Sequence, residues 1–336
     1  MGFLHPQQLS APGKRAAANR GTEEVYRRGR QRAPIDTAYT AGMESLVWTA
    51  RPTLRKGVLV CAFYGWNDGG EAATTSALFL RQQLEATQFC ELDPDEFYDF
   101  QEVRPIVSLG EDDARRLSWP ENSFSYASLP SGNDIAVMVG IEPQNRWKLY
   151  SRSVVEVARE SGAELVVTLG GFLADTPHTR PVPVTGSADG DLADQLGLAP
   201  SAYEGPTGIV GVVHDACKEA GIPSASLWAA VPHYISQSPN PKAALALLSR
   251  LALLLDTHFD MTKLSQEAVS FEREVSHAVS ADEKISRYVR ELESRADEQA
   301  EDDADEEAPP LLASGDDIAA QIERYLAERE EPSEDN

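Results

Sequence analysis

Four runs in this chain are apolar from end to end rather than at every second position: VLVCAFY (58–64), DIAVMVGIEP (134–143), ELVVTLGGF (164–172) and SASLWAAVP (224–232). A strand with one face in water alternates, whereas a strand apolar on both sides must be covered on both. Helix-like stretches stand between these runs. One follows GWNDGG and reaches about Gln88, NRWKLYSRSVVEVARESG (145–162) ends at Gly162, HDACKEAGI begins at His214, and KAALALLSRLALLLD begins at Lys242. Buried strands alternating with helices predict a three-layer α/β fold with a mainly parallel sheet. YDFQEVRPIVSL (98–109), NSFSYASLP (122–130) and GPTGIVGVV (205–213) read as further strands, and ADTPHTRPVPVTG (174–186) reads as a long proline-rich loop.

The pattern changes at both ends. Between Lys14 and Arg32 lie seven basic and two acidic residues with few aliphatics, so residues 1–50 are expected to form a basic arm outside an α/β core at 51–258. Beyond it, Leu264, Ala268, Phe271, Val275, Ala278, Ile285, Val289 and Leu292 follow four-and-three spacing, with Asp282 breaking the row. That seam predicts a long helical segment over 259–300, packed on another helix or another subunit. Ten acids against one arginine in 291–307 predict an acidic linker over 301–314, and DDIAAQIERYLAERE predicts a short amphipathic helix over 315–330.

With 54 acidic and 30 basic residues the net charge is −24, which argues against nucleic acid or an anionic membrane as the main partner. The most apolar helix, AALALLSRLALLLD, is too short to span a bilayer and carries Arg250, so no membrane insertion is expected. The start, MGFLHPQQLSAPGKR, lacks the apolar core of a signal peptide. Cys61, Cys90 and Cys217 are odd in number and form no CxxC pair, which fits a cytoplasmic protein without a disulfide framework. The six histidines show neither HxxxH nor HExxH spacing, so neither a metal nor a cofactor is expected.

Ligands of parallel α/β sheets gather at the carboxyl ends of the strands, and three loops lie there. The first holds Trp66, Asn67, Asp68 and Glu71. Its backbone N–H groups at a helix start could hold an anion; alternatively, Asp68 and Glu71 cap that helix themselves and repel phosphate. The GxxxxGK[ST] lysine is missing, as is full GxGxxG spacing. The second loop holds Gly170, Gly171, Asp175, His178, Thr179 and Arg180, an acid, an imidazole and a guanidinium that could work together or simply pair. The third holds His233, Tyr234, Ser236, Gln237 and Asn240. No GxSxG nucleophile elbow is present. Glu71, Asp175, His178 and His233 are the candidate catalytic groups; Trp66, Asn67, Asp68, Glu71, His178, Arg180 and His233 are the candidate ligand contacts. Arg146, Trp147 and Tyr150, with Phe271 and Val275 of the seam, are candidates for a subunit interface.

GWNDGGEAAT (65–74), DTPHTRPVPVTG (175–186), YEGPTGIVGVV (203–213), VPHYISQSPNPKAALALL (231–248) and GDDIAAQIERYL (315–326) together resemble the PAC2 family, proteins similar to proteasome assembly chaperone 2, and in particular its actinobacterial members. The resemblance implies a fold like that of purine nucleoside phosphorylases and related hydrolases. It also implies a homo-oligomer, a trimer by comparison with bacterial members. Eukaryotic relatives are chaperones of proteasome rings and dock through a C-terminal hydrophobic–Tyr–any tripeptide; here Tyr325 is internal and the sequence closes on SEDN. Two functions are therefore weighed. One is a non-catalytic assembly or chaperone-like protein acting on a protein partner through the surfaces of a homo-oligomer. The other is a nucleoside phosphorylase- or hydrolase-like enzyme built on Asp68, Glu71, Asp175, His178 and Arg180.

Overall fold

The computed structural model describes residues 45–110, 114–129, 131–188, 191–196, 198, 204–235 and 237–305. The basic arm before residue 45, the linker beyond 305, the helix expected at 315–330 and Ser236 lie outside the described residues. The strands are β1 (Leu46–Trp48), β2 (Gly57–Tyr64), β3 (Thr87–Leu92), β4 (Ile106–Leu109), β5 (Arg115–Ser118), β6 (Ser123–Ser128), β7 (Asp134–Ile141), β8 (Ala163–Ala174), β9 (Val184–Ala188) and β10 (Ser224–Pro232). The helices are α1 (Ala72–Gln83), α2 (Trp147–Ser161), α3 (Asp191–Leu196), α4 (Ile209–Ala220), α5 (Pro241–Leu254), α6 (Thr262–Ser280) and α7 (Glu283–Asp305).

Eight strands form one sheet in the order β1-β3-β6-β7-β2-β8-β10-β9. The four apolar runs are its centre: β7, β2, β8 and β10 lie parallel, with Val58 opposite both Ile135 and Leu165. The outer strands pair antiparallel. Alternation within β2 shows why its apolar run is unbroken. Val60 and Ala62 face one core with Leu80 of α1 and Leu247 and Leu251 of α5. Leu59, Cys61 and Phe63 face the other with Tyr150 and Val154 of α2 and Val213 and Cys217 of α4. The three-layer α/β architecture expected from the sequence is therefore present, and the helical segment follows it.

Local patterns misled at six places. Residues 209–213 are the first turns of α4 rather than a strand; Ile209, Val210, Val213 and Cys217 are buried at helical spacing, and a five-residue run with four β-branched members is too short to separate the two periods. Within 98–109 only Ile106–Leu109 is extended, and it pairs with β5 instead of entering the main sheet. The helix of the first loop stops at Gln83, so that Thr87–Leu92 can pair with β6. The proline-rich loop ends in β9, antiparallel to β10. At the ends, Leu46–Trp48 already pairs with β3, and the acidic stretch from 301 is still helical through Asp305. The break at Asp282 is where it was expected. Its Oδ1 accepts from Lys284 N–H (2.8 Å) and Ile285 N–H (3.2 Å), capping α7 and turning the seam into a helical hairpin.

Candidate functional site

The first loop leaves β2 at Tyr64 and turns through Gly65, whose φ of 136° is open only to glycine. A one-turn 3₁₀ helix, Gly69–Glu71, then leads into α1. Asp68 Oδ1 accepts from Ala73 N–H (2.8 Å) and Thr74 N–H (3.3 Å), and its Oδ2 accepts from the Thr74 hydroxyl. The helix start is thus filled by its own carboxylate, the capped-turn reading of GWNDGG. Burial raises the Asp68 carboxyl to about 6, against the opposing pull of the Thr74 and Ala73 hydrogen bonds. Glu71, left-handed at φ 51°, accepts from the Ser238 hydroxyl.

The first and second loops are joined through backbone. Gly171 N–H donates to Asn67 O at 2.9 Å, and a Cβ on Gly171 would stand 2.6 Å from Gly69 O and 3.2 Å from Ala72 Cβ. Gly171→Ala is expected to cost about 1–3 kcal/mol because backbone, not a flexible side chain, must give way. Chemical denaturation measures the loss, and an unchanged midpoint would contradict this packing.

The second and third loops meet the helical hairpin. His178 is buried; its Nδ1 lies 2.8 Å from Tyr234 Oη and its Nε2 3.0 Å from Ser276 Oγ on α6, so both ring nitrogens are occupied. Its backbone N–H also donates to Tyr234 Oη (2.8 Å). Burial, then the Lys242 charge, lowers the His178 pKa below its usual 6.5, so the ring is neutral at pH 7. Lys242, in the first turn of α5, donates to the His178 carbonyl and to Glu272 Oε2 (2.5 Å) on α6. Thr179 Oγ1 donates to Glu293 Oε1 (2.5 Å), and the Arg180 fork grips both oxygens of Asp297 at 2.6 and 2.7 Å. Asp175 Oδ1 accepts from Tyr288 Oη and lies beside His233 Nδ1, each at 3.1 Å.

Asp175, His178, Thr179, Arg180, His233 and Tyr234 thus do come together, but as a clasp on α6 and α7. Ser276, His178 and Tyr234 make a hydroxyl–imidazole–phenol series of the kind that activates a nucleophile. Here it is enclosed between helix and core. The sequence reading missed Lys242, Glu272, Ser276, Tyr288, Glu293 and Asp297. A signal existed: Glu293 and Asp297 are four residues apart on one helix, a spacing suited to Arg180, but they were counted as solvated charge. Among the described residues, the loop holding Trp66, Asn67 and Asp68 shares no side-chain bond with the clasp; it is bonded to α1, to Gly171 and, through Gly70 and Glu71, to Asn240 and Ser238 of the third loop.

The interface candidates divide. Tyr150 is wholly buried and donates to Asn122 Oδ1 at 2.9 Å, while Phe271 and Val275 are buried in the core side of α6. These three are therefore core residues: an aromatic on an amphipathic helix reads the same whether its apolar face meets a sheet or a subunit. Trp147 is half-buried against the α2–α4 core, and exposed Arg146 pairs with Glu96. Among the described residues, exposed apolar side chains cluster on the β4–β5 hairpin, where Ile106 and Leu109 are 69% and 68% exposed and Val107, Leu117 and the adjoining Trp119 are also exposed; Leu253 of α5 and Val269 of α6 are exposed as well. Among the described residues no helix is long and apolar enough to cross a membrane, and no group of three or more His, Cys, Asp or Glu is placed to hold a metal.

Comparison with known proteins returns the same fold. A PAC2 family protein from Streptomyces avermitilis is 44% identical, with a TM-score of 0.65 over 69% of this chain and 99% of that one. A proteasome-assembly chaperone homologue from Mycobacterium tuberculosis is 42% identical, with a TM-score of 0.63 over 69% and 99%. An archaeal proteasome activator, PbaB of Pyrococcus furiosus, shares the fold at 20% identity and a TM-score of 0.56, over 69% of this chain and 97% of that one. No curated protein matches the chain. The family model described as PAC2 family matches residues 62–279, and on that match and the two relatives above 40% identity the chain belongs to the PAC2 family.

Proposed function

We propose that this is a non-catalytic, cytoplasmic assembly or chaperone-like protein that works through the protein–protein surfaces of a homo-oligomer, a trimer, with a further protein as its client. The observation that carries the reading is the fate of the acid–base groups. Asp68 is committed to the start of α1, and Asp175, His178, Arg180 and His233 are committed to α6, α7 or one another. The competing reading, a phosphorylase- or hydrolase-like enzyme, requires those groups to face a substrate. The description of the Mycobacterium relative as a proteasome-assembly chaperone homologue supports the same choice. The β4–β5 hairpin supplies a surface: two short strands with no covered face are marginal alone in water and gain stability when a partner covers them.

The test is the mass in solution. One chain is 36.6 kDa; light scattering on the full chain is expected to return three times that mass, and Ile106→Asp with Leu109→Asp is expected to lower it. A monomer for the parent protein overturns the oligomer, and a hairpin variant of unchanged mass removes the hairpin from its interface. Client capture is then compared between the two forms by crosslinking in cells, with loss from the variant supporting the surface reading. Turnover of nucleosides with phosphate by the purified protein would support the competing enzyme.

A further inference from the structure

The sheet has a second feature at its carboxyl edge, away from the clasp. β2 and β7 are adjacent and parallel, yet β2 feeds α1 on one face while the helix after β7, α2, packs on the other. Helices diverging from neighbouring strands leave a crevice at the strand ends, the place where open α/β sheets bind ligands. The chain just beyond β2 and β7 lines it. Glu142 N–H donates to Tyr64 O at 2.8 Å, which brings the Glu142 carboxylate beside Gly65 and Asn67.

Two acceptors, Glu142 Oε1 and Asn67 Oδ1, and the Trp66 ring converge on the start of α4. Glu142 Oε1 accepts from Ile209 N–H at 2.9 Å, so the positive end of this helix is already matched by an anion. Asn67 is 1% exposed; its Nδ2 donates to Phe63 O at 3.1 Å, while its Oδ1 has no donor at all. An acceptor shut from water without a partner is costly, and such a group is often answered by a ligand. The gap is held open by Gly208. Its φ of −85° and ψ of −175° suit any residue, so glycine is not needed for conformation. A Cβ there would occupy the point where three side chains meet, 3.1 Å from Glu142 Oε1, 3.4 Å from Trp66 Cε3 and 3.7 Å from Asn67 Oδ1. Trp66, 53% exposed, covers the same point on the solvent side.

The geometry points to a binding site for a guanidinium group, formed by Trp66, Asn67, Glu142 and Gly208. The side chains offer acceptors and negative charge, which excludes phosphate despite the helix start. A planar cation with several N–H donors satisfies the carboxylate and the Asn67 carbonyl together and stacks on the indole.

The probe is agmatine, titrated into the full-length protein while tryptophan emission and the melting temperature are followed. Saturable quenching is expected, lost in Trp66→Phe, accompanied by a rise in melting temperature. Glu142→Gln keeps an oxygen for Ile209 N–H but removes the charge, and is expected to weaken binding at least tenfold. Gly208→Ala fills the gap and is expected to abolish binding while the far-ultraviolet spectrum stays that of the parent; should it fail to fold, Glu142→Gln decides alone. Capped arginine, N-acetyl-arginine methylamide, separates the sources: equal binding marks an arginine side chain, and agmatine alone marks a free amine. The inference fails if agmatine gives no saturable response, if both variants bind as the parent does, or if inorganic phosphate binds in its place.

Discussion

Replacing His178 by Leu is expected to release the α6–α7 hairpin while the sheet stays closed. The leucine has about the right bulk, but it leaves the Tyr234 and Ser276 hydroxyls without the ring nitrogens that now face them at 2.8 and 3.0 Å. Tyr234 Oη still accepts from the backbone N–H of residue 178, so the hydroxyl stranded is that of Ser276, and a loss of about 1–3 kcal/mol is expected. The loss should be local. Residues 262–305 hold to the loops through a few polar bonds and one apolar seam, whereas β2 is enclosed between two cores. Hydrogen exchange should therefore rise across α6 and α7 and leave β2, β8 and β10 as they were. Ser276→Ala, which removes one partner and leaves the ring bonded to Tyr234, should give the same pattern at lower amplitude. Faster exchange spread evenly over sheet and hairpin would mean that His178 is ordinary core and not a clasp.

The second large effect is one of pH. In the folded chain the Asp68 carboxyl titrates at about 6, against an ordinary value of 3.8, because burial penalises its charge. Between those values the folded state holds the proton more tightly than the unfolded state does. Asp68 therefore contributes stability that is complete below pH 3.8 and is lost as pH rises through about 6, roughly 3 kcal/mol in all. His178 works in the opposite sense. Its folded pKa lies below 6.5, so its contribution is full above pH 6.5 and is lost as pH falls. Comparison with Asp68→Asn isolates the first term, since asparagine can still accept from Ala73 and Thr74 N–H but does not titrate. The stability difference between parent and variant should shift by about 3 kcal/mol in the parent's favour from pH 7.5 to pH 3. Parallel stability curves would show that Asp68 is solvated.

What could be read from the sequence was what rests on burial of short contiguous runs. VLVCAFY, DIAVMVGIEP, ELVVTLGGF and SASLWAAVP carry their place in the sheet in their own composition, because both faces of each strand are covered by helices. The cap at Asp68 and the break at Asp282 were legible for a similar reason: an acid at a helix start bonds to residues only a few positions away. The IVGVV segment failed because helix and strand periods agree over so few residues. The clasp was half legible. Asp175, His178, Arg180 and His233 stood out by type, but what they face is set by the return of α6 and α7 across the loops. Arg180 and Asp297 are 117 residues apart, and no local pattern links them.

That separation has a consequence for the order in which the protein is made. Synthesis proceeds from the amino end, and folding units close as they emerge. By the time Pro232 has appeared, every strand of the sheet is available to pair. The loop at 175–180 is by then complete, yet Glu272, Ser276, Tyr288, Glu293 and Asp297 have still to leave the ribosome. A nascent chain therefore passes through a stage with a finished sheet and bare polar loops, during which His178 and Arg180 are open to water or to a holding factor. The hairpin is the last large piece described to arrive, and its docking closes the molecule over them.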